Sequence, residues 1–511
     1  MFTKCYASTL IGIEALTVEV EVNVTPGIGM FLVGLPDNAV RESQERIRSA
    51  FENSGFRMPG RKTVVNLAPA DIRKEGSSLD LTIATAILAA TDQISRERLR
   101  DYIIMGELSL DGTVKPIRGA LPIAINAHAQ GFKGFILPAD NAPESAVVQG
   151  LETIAVRSLK EVTDFLNGTS RPTPVVMPEE PDARDESPYA EDFADVKGQA
   201  YAKRALEIAA AGGHNVLLIG SPGSGKTMLA RRMRTIMPPM TLSESLETTK
   251  IHSVAQKQGS MKGLLRERPF RAPHHLSSQV ALIGGGTNPI PGEISLAHNG
   301  ILFLDELPEF GRNTLEILRQ PLEEKQITIS RAKYSVEYPA NFMMIGAMNP
   351  CPCGYYNHPT RECSCSTNSV YRYMNKISGP MLDRIDMHIE VAPVTYPELT
   401  NNLPSETSAE IRRRVVAARE RQQRRFAGLE GIHTNAMMTQ PMLQSMCPLS
   451  GACITLLERA MNKLELSARA YSRIIKVART IADLEGSDDI APQHIAEAIN
   501  YRSLDRKEWG R

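Results

Sequence analysis

The sequence predicts an α/β chain with a doubly wound, parallel-stranded core, preceded by a mixed α+β domain and followed by a helical region. Three observations predict it. The apolar run NVLLI at 215–219 leads straight into a glycine-rich loop, GSPGSGKT at 220–227, and then into the helical stretch MLARRMRTIM. A second apolar run, GILFLDE at 300–306, ends in two acids, as a buried parallel strand does when it delivers carboxylates to a sheet edge. Beyond about Val394 the strand pattern stops and helical periodicity takes over.

The N-terminal region alternates. MFTKCYASTLIGIEALTVEVEV reads as strands, RESQERIRSAFENSG as a helix, KTVVNLAP as a strand, LDLTIATAILAATDQ as a helix and GELSLDGTVKPI as strand and turn. The stretch from Arg171 to Pro188 is rich in proline and acids and has no apolar period, which marks a linker. The expected boundaries are therefore 1–170, a linker at 171–190, a nucleotide core at 191–395 and a helical lid at 396–511. A chain of 511 residues is long enough for three such units.

Lys plus Arg and Asp plus Glu both number 58, so a nucleic-acid partner has to be argued from local patches. No run approaches the ~18 apolar residues of a membrane span, and the alternating start is unlike a secretory signal. The expectation is a cytoplasmic protein with no membrane contact, whose seven cysteines are thiols or metal ligands and not disulfides.

The loop of Gly220, Ser221, Pro222, Gly223, Ser224, Gly225, Lys226 and Thr227 is a phosphate cradle. Its glycines let backbone N–H groups face the phosphates, and the following helix adds the positive end of its dipole. Lys226 is placed to reach the β- and γ-phosphates of ATP, and Thr227 to hold Mg²⁺. Asp305 is placed to coordinate Mg²⁺ through water. Glu306 is placed to polarise the attacking water, in preference to serving as an acid at the start of the next helix. NFMMIGAMNP is a further buried strand, ending in Asn349, whose amide is suited to touching the γ-phosphate or orienting the water.

GPMLDRIDMHIE puts Arg384 between acids on an expected surface turn, and LSARAYSRIIKVART puts Arg469 at the head of a lid helix. The order of these five elements resembles that of the AAA+ ATPases. The resemblance implies a sensor role for Asn349, an arginine finger at Arg384 reaching a neighbouring subunit's nucleotide, and a γ-phosphate-sensing arginine at Arg469. The strings FRAPHHLSSQVALIGGGTNPIPGEISLAHNGILFLDELPEF and EEKQITISRAKYSVEYPANFMMIGAMNPCPCGYY narrow it further. They look like the magnesium-chelatase-related clade and specifically the YifB/ComM group, and with NLAPAD the likeness covers essentially the whole chain. It implies a homo-hexameric ring that binds and translocates DNA, as in branch migration during recombination or natural transformation. A chelatase-like, protein-remodelling motor stays open as the alternative.

QITISRAKYSVEY at 326–338 reads as a hairpin with Arg331 and Lys333 at its tip. Related ring helicases use a similar hairpin to touch DNA in the pore, where cationic tips meet phosphates. The arginine-rich stretch Ile411 to Phe426 is a weaker candidate, since its charges also fit a solvated helix.

Cys351, Cys353, Cys363 and Cys365 form C-x-C-x9-C-x-C just after Asn349. Two close thiol pairs suit a structural, four-thiolate Zn²⁺ site, although the spacing is tighter than usual; reduced thiols or a redox role are the alternatives. His358 is a further candidate ligand, whereas Cys447 and Cys453 read as core or turn residues.

GELSLDGTVKPIRGALPIAINAHAQGFKGFILPADN looks like the proteolytic domain of Lon, with Ser78 of KEGSSLDL at the nucleophile's position. This likeness implies a ribosomal S5 domain 2-like fold. It also raises a peptidase reading, which needs an amine next to the serine. Ile123 stands where the Lon lysine is expected, leaving only Lys74 or Lys115 as substitutes. The reading favoured is a non-proteolytic domain for binding or ring assembly.

Overall fold

The computed structural model describes residues 1–511 except 171–174, 176–188, 256–262, 287–288, 331–334, 401–404, 430, 503 and 505–511. The expected linker therefore lies almost wholly outside the described residues.

The alternation at the N-terminus folds into a long antiparallel pair, Phe2–Ile11 with Glu14–Thr25, in register from Phe2↔Asn23 to Ile11↔Glu14. It forms the middle of a seven-stranded sheet whose order is Met30–Val33, Lys62–Ala68, Glu14–Thr25, Phe2–Ile11, Tyr102–Ile104, Gly134–Pro138, Glu152–Val156. The helix Asp80–Ala90 is apolar all round and accordingly is buried at every residue, packed on the first two strands. The helix Asn38–Ser54 is amphipathic, is capped by the Asp37 side chain and covers the first.

The core sheet has five strands, all parallel, in the order Phe270–Arg271, Ile301–Leu304, Met343–Met348, Val216–Ile219, Met387–Glu390. Strands Val216–Ile219, Ile301–Leu304 and Met343–Met348 are buried at every residue, which is why they read as continuous apolar runs. Because Met343–Met348 lies between the other two, the three carboxyl ends come out side by side. Ligands of doubly wound sheets bind at that edge.

One apolar cluster runs from Val216, Leu218 and Ile345 of this sheet through the helix Ala200–Gly212 to Ile411, Val415, Ile474, Ile475 and Ile495 of the C-terminal helices. The helix Ser408–Arg425 thus packs directly on the nucleotide core. The N-terminal sheet meets the core through Ile13, which joins the cluster around the hairpin Gln326–Ser330 and Ser335–Pro339. Gly12 abuts that hairpin so closely that a Cβ would lie 2.3 Å from Val336 Cγ1. Lys250 and Glu14 add an ion pair at 2.8 Å. Among the described residues no helix is long and apolar enough to cross a membrane.

Candidate active site

The loop Gly220–Gly225 leaves the strand Val216–Ile219 and turns into the helix Lys226–Ile236, with Gly223 (φ +80°) and Gly225 (φ +88°) in left-handed conformations that side chains resist. Lys226 is buried. Its Nζ donates to Gly220 O (2.7 Å), Ser221 O (3.0 Å) and, across to the neighbouring strand end, Asn349 Oδ1 (3.2 Å). Burial lowers its pKa, and the nearby Asp305 opposes that. Thr227 Oγ1 donates to Asp305 Oδ2 at 2.8 Å, placing a hydroxyl and a carboxylate where a hard cation takes oxygen ligands. Asp305 Oδ1 in turn accepts from the Glu306 N–H at 2.9 Å. The strand order explains these contacts: the Asn349 strand sits between the loop strand and the acidic strand, so residues 123 and 78 positions apart meet.

Glu306 follows at φ +51°, a conformation uncommon outside glycine and concentrated at functional sites. Its carboxylate is 60% exposed and faces His275 Nδ1 at 3.3 Å. With Asn349, Pro352, Tyr373 and Lys376 it lines a cavity of 480 Å³. A second cavity, 490 Å³, touches the loop through Gln199, whose Nε2 donates to Ser224 O (2.6 Å) and Ala392 O (3.2 Å).

His275 and Gln199 escaped the sequence reading. His275 lies within the quoted RAPHH string, but only the pairing of its strand Phe270–Arg271 with Ile301–Leu304 brings it to Glu306. Gln199 belongs to no chemical pattern.

Two predicted arginines lie apart from this group. Arg384 was expected on a surface turn; it is only 6% exposed, with Nη2 on Glu323 (2.5 Å) and Nη1 donating to Pro380 O (2.6 Å). A buried guanidinium demands such partners, and Glu323 comes from a helix that the sequence places some sixty residues away. Arg469 is exposed, and its partner is Asp383 at 3.4 Å, not a group of the Lys226 network. Arg331 and Lys333 lie outside the described residues, but the strands beneath them pair in register from Gln326↔Pro339 to Ser330↔Ser335, as the alternation predicts.

The arginine-rich helix is largely spent on structure. Arg419 caps carbonyls 210 and 211, Arg425 pairs with Asp483, Arg421 with Asp488, and Arg414 with Glu207 and Glu406.

The four cysteines after Asn349 converge. Cys351 Sγ lies 3.3 Å from Cys353 and 3.6 Å from Cys363, Cys353 lies 3.5 Å from Cys363, and all four sulfurs fall within 4.8 Å of one another. No two are at the ~2.05 Å of a disulfide, whereas Zn–S bonds of ~2.3 Å put tetrahedral sulfurs about 3.8 Å apart. The donor set fits zinc. His358 is not part of it: its Nδ1 accepts from the N–H groups of Thr360 (3.2 Å) and Arg361 (3.1 Å). Cys447 and Cys453 are buried, as read.

In the N-terminal domain the described candidate amines do not engage the serine. Lys74 Nζ donates to Pro69 O and Ile72 O, Lys115 is exposed, and Ile123 is buried. Among the described residues no amine hydrogen-bonds to Ser78 Oγ.

Three families match the chain: Magnesium chelatase, subunit ChlI at residues 192–399; Subunit ChlI of Mg-chelatase at 20–141; and Magnesium chelatase, subunit ChlI C-terminal at 405–502. The YifB protein of Escherichia coli strain K12 is 44% identical over 504 residues, 97% of this chain and 96% of its own length. Competence protein ComM of Haemophilus influenzae is 44% identical over 504 residues, 98% of this chain and 97% of its own. Lon protease 1 of Bacillus subtilis is 32% identical over 162 residues, 29% of this chain and 20% of its own.

Proposed function

Since the chain belongs to the YifB/ComM group of magnesium-chelatase-like AAA+ ATPases, we propose that it forms a homo-hexameric ring that hydrolyses ATP and drives DNA translocation, with branch migration in recombination or natural transformation as its task. The observation that carries the ATPase reading is the contact of Lys226 with Asn349 and of Thr227 with Asp305 across three adjacent strand ends. When bound, Mg²⁺ would supply charge neutralisation on the phosphates. Thr227 and, through water, Asp305 would hold the ion, and Lys226 exchanges its carbonyl partners for β- and γ-phosphate oxygens. Glu306 takes the proton of the water that attacks the γ-phosphorus, and the diphosphate leaves in line. Asn349 positions that water. Arg384 reaches the neighbour's γ-phosphate by exchanging Glu323 for it, one anion for another, and Arg469 senses the same phosphate from the helical side.

The DNA reading rests on the name of the competence protein and on the hairpin beneath Arg331 and Lys333. The four thiolates would hold one structural Zn²⁺ per chain, a full ligand set that leaves the metal no catalytic part. The chelatase descriptions of all three matching families favour a second reading, a motor that remodels a protein. ATPase rate with and without forked or single-stranded DNA separates the two. Stimulation by DNA is expected; a rate indifferent to DNA but raised by a protein partner overturns the DNA reading and leaves the ATPase intact.

A further inference from the structure

We propose that the four-cysteine knuckle is a metal-dependent brace for the phosphate loop, so that occupancy of its Zn²⁺ site sets the affinity for ATP; this rests on the zinc reading above.

The knuckle leans on the loop it would control. Gly354, one residue after Cys353, adopts φ +85° and presses its bare Cα against the ring of Pro222; a Cβ there would lie 2.4 Å from Pro222 Cδ and 2.7 Å from Cγ. Pro222 is the third residue of the phosphate loop, so its position governs how the N–H groups around it face the phosphates. The Gly354 turn is itself tied back, its N–H donating to Cys351 O at 3.0 Å, and Cys351 is fully buried.

Both ends of the knuckle also run into the site. It begins two residues after Asn349, which accepts from Lys226. It ends where Ser366 caps the helix Thr367–Met374 by accepting from the Ser369 N–H at 3.3 Å. Tyr373 of that helix lines the 480 Å³ cavity with Glu306 and Asn349. Pro222, Asn349 and Tyr373 are thus three points of the nucleotide site whose relative positions depend on the knuckle staying closed.

The loop between the cysteine pairs, GYYNHPTRE, has little apolar surface to close it. Its contacts are mostly its own: Arg361 over the Tyr355 ring at 5.1 Å and bonded to Tyr355 Oη at 2.7 Å, the His358 ring edge-on to Tyr355 at 5.5 Å, the His358 N–H donating to Tyr355 O at 3.1 Å, and the turn around His358 Nδ1. Ordering such a segment costs backbone entropy at every residue, and a structural metal supplies the compensating free energy. With the metal removed, four thiols crowded within 4.8 Å are held to one another only by weak sulfur hydrogen bonds of 3.3–3.6 Å. The Gly354 turn is then free to leave Pro222, and the cradle loses preorganisation, which is read as weaker binding.

The experiment uses the full chain and a fluorescent ATP analogue, with zinc measured by elemental analysis on the same samples. Chelator-stripped protein is expected to bind the analogue about ten-fold more weakly, with recovery on adding Zn²⁺. Cys363→Ser with Cys365→Ser should match the stripped protein and not recover. Gly354→Ala keeps its zinc but pushes on Pro222, and should weaken binding with zinc still at one per chain. Should stripping unfold the protein, Gly354→Ala decides: zinc-loaded and with unchanged affinity, it overturns the brace. Unchanged affinity in folded, stripped protein overturns it as well. Wild type purified without zinc refutes the metal and with it the proposal, whereas wild type that binds no nucleotide refutes the ATPase reading instead.

Discussion

Lys226 and Glu306 belong to the same strand-end site yet fail in different ways. The buried amine satisfies three acceptors at once, and two of them are the carbonyls of its own loop, so Lys226→Ala removes both the phosphate partner and a brace of the loop. ATP binding should be lost in a direct binding assay. The Glu306 carboxylate is exposed and bonds nothing in the cradle, so Glu306→Gln should bind ATP as wild type does while turnover falls by about 10²–10⁴. Full hydrolysis by that variant would remove Glu306 from the chemistry. Arg384 differs again: its pairing with Glu323 lets it be buried within its own subunit. Arg384→Ala should impair hydrolysis with binding nearly intact, and mixing it with Lys226→Ala subunits should restore part of the turnover. Stable mixed rings that stay inactive would show that Arg384 does not act across an interface.

At the scale of elements, the hairpin is a rigid mount for its tip. Ile327, Ile329, Val336 and Tyr338 point into the cluster shared with Ile13, Tyr338 Oη donates to Pro289 O at 2.7 Å, and the intervening residues face outward. Replacing Arg331 and Lys333 with alanine should therefore leave the fold and basal ATPase alone. DNA binding should weaken across sequences, with a shallower dependence on salt because fewer counterions are released. Stimulation by DNA and unwinding of forks should fall together. A double variant that unwinds DNA normally would make the hairpin a structural insertion and turn attention to the exposed arginines, Arg413 and Arg424, of the helix Ser408–Arg425.

Across the whole molecule the C-terminal helices are fastened to the core sheet by Asp386. Its buried carboxylate accepts from the Asn215 N–H (2.9 Å), pairs with Arg473 of the helix Ala468–Leu484 and lies 3.7 Å from His214 Nδ1. Burial alone would raise its pKa; the charge of Arg473 and the hydrogen bond and charge of His214 outweigh that and hold it well below the usual carboxylate range. A depressed folded pKa contributes stability that is present above the unfolded value of about 4 and lost as the pH falls below it. Asp386→Asn should accordingly cost about 3–5 kcal/mol near neutral pH, because Arg473, which also donates to Asp383 O, loses its only carboxylate partner among the described residues. Thermal melts should show that deficit shrinking below about pH 4, and a deficit independent of pH would deny the ion pair its role.

The sequence by itself determined the elements whose signals are local. Three buried parallel strands announce themselves as unbroken apolar runs, the glycines of the loop mark a backbone no side chain tolerates, and the hairpin shows as alternation on either side of a basic tip. Four cysteines within fifteen residues announced a cluster because proximity along the chain ensured proximity in space. What only the tertiary structure decided are contacts between distant segments, for which no period exists. Strand order set Asn349 between Lys226 and Asp305, the pairing of a two-residue strand carried His275 to Glu306, and burial took Arg384 from its expected surface to Glu323. Gly354 against Pro222 belongs with these, since a glycine's missing side chain has meaning only once the neighbour occupying that space is known.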